Sequence, residues 1–136
     1  YYGELDKHPQ SGMIRAAREQ CIALENETAS LLRAGSVPAE IYEKILSLVD
    51  PAFREGFMNG CKFLGHSIGL TMDETPVLAK GFSAPLESGM TLAVEPKIAI
   101  PGVGLIGCEN TYEITADGPA QSLTGACDTL FEVLNQ

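Results

Sequence analysis

One histidine and two glutamates combine metal-binding chemistry with neighbours small enough to admit a ligand. His66 stands between glycines in Gly65-His66-Ser67-Ile68-Gly69, Glu95 ends an apolar run, and Glu109 follows Gly107 by two residues. One imidazole with two carboxylates suits Mn, Fe, Co or Zn better than Ca or Mg. The three residue types therefore indicate a transition-metal site. Their separations of 29 and 14 residues match no short local zinc motif.

Each of these side chains also has an explanation without metal. His66 could be a core histidine whose ring nitrogens are satisfied by neighbouring carbonyls. Glu95 could form an ion pair with Lys97, which lies two residues on and on the same face of an extended strand. Cys108 faces away from Glu109 in the same alternation, so we interpret it as a core residue and not as a ligand or nucleophile.

Two helices followed by a sheet are expected to position these residues. Apolar residues recur at three- and four-residue steps across residues 11–34, which predicts an amphipathic helix ended by Gly35. A second apolar stripe begins at Pro38 and ends before Asp50-Pro51. Short β-like runs then cover residues 62–71, 90–99, 105–115 and 129–134, and residues 79–87 resemble an exposed loop. This order predicts one domain of the α+β class.

The amino-acid composition argues against several classes of function. The 136 residues are 45% hydrophobic and 20% charged, as in ordinary core-forming domains. With 18 acidic and 9 basic residues the formal net charge is −9, which argues against nucleic acid or an anionic membrane as partner. No apolar run is long enough for a membrane span. The four cysteines form no CxxC pair, so reduced thiols and a cytoplasmic location are expected.

Several segments together resemble a metallopeptidase family that includes Xaa-Pro dipeptidases, aminopeptidase P, methionine aminopeptidases and creatinase. The histidine motif is Gly65-His66-Ser67-Ile68-Gly69-Leu70. The others are Leu86-Glu87-Ser88-Gly89-Met90 with Val94-Glu95-Pro96, Gly107-Cys108-Glu109-Asn110-Thr111, Ile114-Thr115-Ala116-Asp117-Gly118 and Leu123-Thr124. The short interval between Glu95 and Glu109 favours the Xaa-Pro branch over methionine aminopeptidases.

The resemblance implies the carboxyl-terminal half of a pita-bread fold: two helices followed by a curved, antiparallel-rich sheet. It also implies a site with two Asp, one His and two Glu that holds two divalent ions (Mn, Co, Zn or Fe) and a bridging hydroxide. His66, Glu95 and Glu109 match the His and the two Glu, with His66 and Glu95 catalytic and Glu95 also a proton shuttle.

In the family, the two aspartates lie upstream of a segment resembling Tyr1-Tyr2-Gly3-Glu4. The resemblance therefore implies that residues 1–136 are the carboxyl-terminal portion of a catalytic domain, without the amino-terminal domain and the first part of the catalytic domain. We expect this portion alone to be inactive and to bind metal weakly or not at all.

Asp73 stands where many family members place a second, substrate-contacting histidine. We interpret it as a substrate-binding residue with an altered preference, the alternative being a solvated turn before Pro76. The expected activity is hydrolysis of the Xaa-Pro bond in dipeptides or short peptides, in the cytoplasm. Two alternatives stay open: a catalytically silent module that binds proteins, and a creatinase-like hydrolase of small amidines or amides. Members of the family commonly dimerise, so the resemblance also allows a homodimer.

Overall fold

The computed structural model describes residues 3–125, and its first part is helical. Helix α1 spans Ser11–Leu31 and helix α2 spans Pro38–Leu48. Both predicted helices are confirmed, although α1 ends three residues before the predicted end at residue 34, where Leu32 already has an extended backbone. Gly35 has a φ of +90°, a conformation that glycine adopts without the steric cost of a Cβ.

Within residues 3–125, seven strands follow the helices and form two antiparallel sheets. Their bounds are β1 Phe63–Ser67, β2 Glu74–Ala79, β3 Thr91–Val94, β4 Lys97–Ile100, β5 Gly104–Gly107, β6 Asn110–Glu113 and β7 Gln121–Ser122. The larger sheet has the order β2-β1-β3-β6-β7, and β4 pairs with β5 in a separate sheet. This architecture confirms the α+β class, with two helices before an antiparallel sheet. The predicted run 129–134 lies outside the described residues.

Two of the predicted runs each divide into two strands. Residues 90–99 separate into β3 and β4 because Pro96 has no N–H to continue the ladder, and residues 105–115 separate into β5 and β6. The breaks face each other, since Val94 pairs with Asn110 on one side and Lys97 with Gly107 on the other. Between these pairs the N–H of Cys108 donates to the carbonyl of Pro96 at 3.3 Å. Two sheets therefore meet along one line.

Strand β2 is an element that sequence reasoning missed. Pro76 interrupts its β pattern, but β2 lies at the edge of the larger sheet, where a missing N–H can face away from the ladder. The predicted loop 79–87 is also not uniformly exposed, because Leu86 is fully buried and its backbone N–H donates to Ser36. β7 is a second strand that the pattern did not reveal.

The core lies between the helices and the sheets. Helix α1 packs on β3, β4 and β5, while α2 packs on β2. The core residues include Leu24 of α1, Ile45 of α2, Leu64 of β1 and Leu92 of β3, all nearly or fully buried. Within residues 3–125, neither helix is long and apolar enough to cross a lipid bilayer.

Candidate metal and catalytic site

Strand β1 carries His66 into the interior of the protein. Its backbone pairs with Ala93 of the central strand β3, and the residue is 7% exposed. The ring Nδ1 lies 3.1 Å from the carbonyl oxygen of Ser67. A carbonyl can only accept, so this bond places the hydrogen on Nδ1 and leaves the Nε2 lone pair for another partner. Metal-binding histidines are oriented by the same kind of bond.

Nε2 of His66 faces two carboxylates. Oδ1 of Asp73 lies 3.1 Å away and Oε1 of Glu95 lies 3.8 Å away. An imidazole lone pair and ionised carboxylates are all acceptors, so positive charge is needed among them. A proton on Nε2 meets this need, and so does a metal ion. The donor chemistry of this group, one imidazole nitrogen with carboxylate oxygens, fits the Mn, Co, Zn or Fe that the sequence predicts.

Glu95 sits at the line where the two sheets meet. Its N–H donates to the carbonyl of Leu64 at 3.0 Å, which fixes its backbone beside β1. The side chain is 17% exposed, and Oε2 accepts a hydrogen bond of 2.5 Å from Nζ of Lys97. That ammonium also lies 5.9 Å from the ring centroid of Phe63. The ion pair considered as an alternative therefore forms, together with the approach of Glu95 to His66.

Glu109 lies at the opposing break, between β5 and β6, and is exposed. It shares a cavity of about 270 Å³ with Glu95 and Lys97; the remaining lining residues are Leu105, Gly107 and Cys108. Among residues 3–125 the structure gathers no three His, Cys, Asp or Glu side chains tightly enough to hold an ion. The structure thus brings Glu95 close to His66 and places Glu109 on the same cavity as Glu95. The metal role of His66, Glu95 and Glu109 stays a prediction.

Asp73 lies just before β2 and reaches His66 from the solvent side, with 71% of its side chain exposed. The next residue, Glu74, accepts hydrogen bonds from the backbone N–H of Thr71 at 2.7 Å and from its hydroxyl at 3.2 Å. The backbone bond from Thr71 is the main cause that lowers the pKa of the Glu74 carboxyl. This turn holds Asp73 at the rim of the site. Its predicted substrate contact stays a prediction.

The cysteines nearest the site are not ligands in this arrangement. Cys108 is half-buried and packs against the core, as its strand position predicts. Burial, with a hydrogen bond to Glu25 as a second cause, raises the pKa of its thiol far above the ordinary range. Burial likewise raises the pKa of Cys21 to about 12. Both thiols stay protonated near neutral pH, so neither offers the thiolate that a metal or an electrophile requires.

Glu25 is a polar residue near the site that sequence reasoning missed. It lies on α1 and is 3% exposed, although it is an acidic residue. Its position offers a signal, because Cys21, Glu25, Thr28 and Leu32 follow one another at helical steps and all are buried. An acidic residue inside an apolar stripe must have specific partners, and these lie on β6.

Residues 4–116 match the model of metallopeptidase family M24. A similar curated protein is the "Xaa-Pro dipeptidase" of Lactobacillus helveticus, 31% identical over 115 residues that cover 85% of this chain and 27% of the relative. Among solved structures, the "Xaa-Pro dipeptidase from Bacillus anthracis" has a TM-score of 0.78 and 26% identity, covering 89% of this chain and 33% of that protein.

An X-Pro aminopeptidase from Thermotoga maritima MSB8 has a TM-score of 0.80 at 20% identity and covers 89% of this chain and 34% of its own. The structural likenesses confirm the expected pita-bread fold. The chain spans about a third or less of the length of each of these proteins.

Proposed function

Because this chain belongs to metallopeptidase family M24, we propose that it supplies His66, Glu95 and Glu109 to a two-metal site that hydrolyses the Xaa-Pro bond of dipeptides or short peptides. The observation that carries the proposal is the group around Nε2 of His66, which faces Asp73 and Glu95 and requires a positive charge between them. We further propose that residues 1–136 form the carboxyl-terminal portion of a catalytic domain within a longer protein, and the proposed activity is that of this longer, full-length protein.

His66 and Glu95 have different proposed roles, which follow from the chemistry of their side chains. His66, Glu95 and Glu109 would hold divalent metal, which when bound would supply Lewis acidity at the site. His66 is held in one tautomer by Ser67 and offers Nε2 as a neutral donor atom. Glu95 accepts a proton from the attacking water and passes it to the departing nitrogen. Its low exposure keeps bulk water away from this transfer.

Asp73 is proposed to contact the substrate. Its largely exposed carboxylate sits at the rim of the site, where it attracts the amino group of a peptide and repels a carboxylate. A neutral or cationic amino-terminal residue is therefore favoured over an acidic one. This preference is the change that we attribute to the Asp that replaces the more common histidine.

A second candidate function is a catalytically silent module, and Lys97 is the observation that favours it. Its ammonium holds Oε2 of Glu95 at 2.5 Å and places a fixed positive charge where a ligand of a metal is expected. A site that carries its own cation has less need of a metal ion. The same ion pair is also compatible with an enzyme, provided that the metal displaces Lys97 from that oxygen.

One experiment separates the candidates. The full-length protein is purified without metal, loaded with Mn²⁺ or Co²⁺, and assayed against Xaa-Pro dipeptides, a matched dipeptide without proline, and creatine. Metal-dependent release of the first residue from Xaa-Pro substrates alone supports the proposal. Turnover of creatine alone favours the amidine hydrolase, and the absence of turnover with any metal and substrate favours the silent module.

The 136-residue chain is the matched control in that assay. We expect it to hydrolyse no Xaa-Pro substrate, since His66, Glu95 and Glu109 are too few ligands to hold two ions. Turnover by this chain at the rate of the full-length protein would contradict the division of the site between two parts of the sequence.

A further inference from the structure

A buried carboxylate lies behind the strand that carries Glu109. Glu25 of α1 is 3% exposed, and its Oε1 accepts two hydrogen bonds from β6. The amide Nδ2 of Asn110 donates at 2.6 Å, and the hydroxyl of Tyr112 donates at 3.0 Å. The carboxylate of Glu25 also lies near the thiol of Cys108. Glu25 is therefore hydrogen-bonded to one neighbour of Glu109, Asn110, and lies near the other, Cys108.

The contacts continue from Asn110 to Thr124, which lies just after β7. Oδ1 of Asn110 accepts a hydrogen bond of 2.8 Å from the hydroxyl of Thr124, which in turn accepts one of 3.0 Å from the N–H of Thr111. On the other side, the N–H of Cys108 is bonded to the carbonyl of Pro96, next to Glu95. The segment around Glu109 is thus held on both sides by directional bonds, with the side chain of Glu109 directed to solvent.

Stability alone does not account for a carboxylate at this place. Taking a charged group out of water is costly, and replacing such groups with apolar residues of similar volume is often neutral or stabilising. The guanidinium of Arg18 acts electrostatically on the thiols of both Cys21 and Cys108, so a positive charge lies near this group of residues. Beyond packing, Glu25 orients its partners, because the hydrogen bonds that its carboxyl oxygen accepts depend on both distance and angle.

We propose that Glu25 is a positioning residue, which holds Asn110 and thereby fixes the Glu109 carboxylate on the cavity that it shares with Glu95. The functional half of this inference rests on the proposed metal site. The structural half, the ordering of residues 108–111 by Glu25, does not depend on it. Outer contacts of this kind typically contribute about 10–100-fold to metal affinity or activity.

The test compares three variants with the full-length wild type. Glu25→Leu removes the acceptor and keeps the volume, and Glu25→Gln keeps an acceptor without charge. Thr28→Val is the matched control, because Thr28 is buried on the same helix and its hydroxyl donates to the carbonyl of Leu24, within that helix, at 2.7 Å. Hydrogen exchange by mass spectrometry reports order at residues 108–111, and a Mn²⁺ titration reports affinity.

In Glu25→Leu we expect exchange at residues 108–111 to be about tenfold faster or more, as the loss of a charge-assisted hydrogen bond implies. Residues 63–67 and helix α2 should exchange as in Thr28→Val. Mn²⁺ affinity should fall about 10–100-fold, with kcat reduced and KM little changed. Glu25→Gln should recover part of both losses, which a role in packing alone does not predict.

Exchange and affinity in Glu25→Leu equal to those in Thr28→Val would overturn the proposal. If Glu25→Leu does not fold, Glu25→Gln decides: exchange at residues 108–111 that is faster than in Thr28→Val supports the proposal, and exchange equal to that in Thr28→Val refutes it. The proposed function fails separately, if the wild type shows no metal-dependent hydrolysis. The exchange result then still decides whether Glu25 orders the segment.

Discussion

Oδ1 of Asp73 lies 3.1 Å from Nε2 of His66, although the first side chain is 71% exposed and the second only 9%. The contact joins an exposed residue at the rim of the site to a buried one, across the connection between β1 and β2. A cation bound at Nε2 competes with this contact, since Asp73 can turn into solvent while His66 cannot. The two acidic residues around His66, Asp73 and Glu95, should therefore differ in importance.

Glu95→Gln should cost far more activity than Asp73→Asn in the full-length protein. The first change removes the anionic oxygen near His66 and the proton acceptor, and the loss of a general acid or base alone costs about 10²–10⁴-fold in rate. Asp73→Asn should mainly alter KM ratios among substrates. Steady-state kinetics with bound metal quantified tests both. Equal losses of kcat would show that Asp73 is itself part of the catalytic machinery.

Lys97→Met should tighten divalent metal binding. The ammonium competes for Oε2 of Glu95, and its removal also takes a positive charge away from the site. A partly exposed ion pair contributes up to about 1 kcal/mol, so we expect about a two- to fivefold lower Kd for Mn²⁺ by calorimetry. Lys97→Arg keeps the charge and serves as the control. A higher Kd for Mn²⁺ in Lys97→Met than in the wild type would indicate that Lys97 orients Glu95 for metal binding.

Gly65→Ala should destabilise the protein and remove activity. A Cβ at position 65 would overlap the backbone oxygen of Ala93 and lie 3.2 Å from the Cα of Val94, so the pairing of β1 with β3 would have to open. Overpacking of this kind costs about 1–3 kcal/mol in the free energy of unfolding. Chemical denaturation with circular dichroism measures it.

Gly12→Ala is the control for that experiment, since a Cβ there meets nothing within 4 Å and Gly12 lies in α1. Alanine is about 0.5–1 kcal/mol better than glycine in a helix, so this variant should be equally stable or more stable. Equal effects of the two substitutions would mean that β1 and β3 are not closely paired at Gly65.

Thiol labelling should distinguish Cys61 from Cys21 and Cys108. Cys61 is exposed, whereas burial raises the pKa of Cys21 to about 12 and raises that of Cys108 further. A raised pKa keeps a thiol protonated, so at pH 8 these two lack the reactive thiolate. In a Cys127→Ser background, which removes the cysteine outside the described residues, a disulfide reagent should label one thiol rapidly. Mass mapping identifies it; rapid labelling of Cys108 would contradict its burial.

The turn before β2 should loosen in acid. The pKa of Glu74 is lowered, first by the N–H of Thr71, so its contribution to stability is full above the ordinary glutamate pKa and is lost as pH falls through the lowered value. The amide proton resonance of Thr71 should follow this titration, with a midpoint below that of an ordinary glutamate. Glu74→Gln should abolish the titration. A midpoint at or above the ordinary value would show that the Thr71–Glu74 bond is absent in solution.

The helices, the α+β class and the family were predictable from the sequence alone, and the metal role of His66, Glu95 and Glu109 stays a prediction from it. Helical periodicity involves residues three or four positions apart, so the stripes of α1 and α2 are visible in the chain. The glycines around His66 and the short motifs at Glu95 and Glu109 are local as well. These features were sufficient to predict an α+β protein and to choose the side chains with metal chemistry.

How distant segments meet could not be predicted from the sequence and is seen in the folded structure. The division of residues 90–99 and 105–115 at facing breaks depends on which strands pair, and a strand pattern does not reveal its partner. Glu25 meets Asn110 across 85 positions of sequence, and Asp73 reaches His66 only because β2 folds back on β1. Such contacts depend on packing between elements, for which local propensity carries no information.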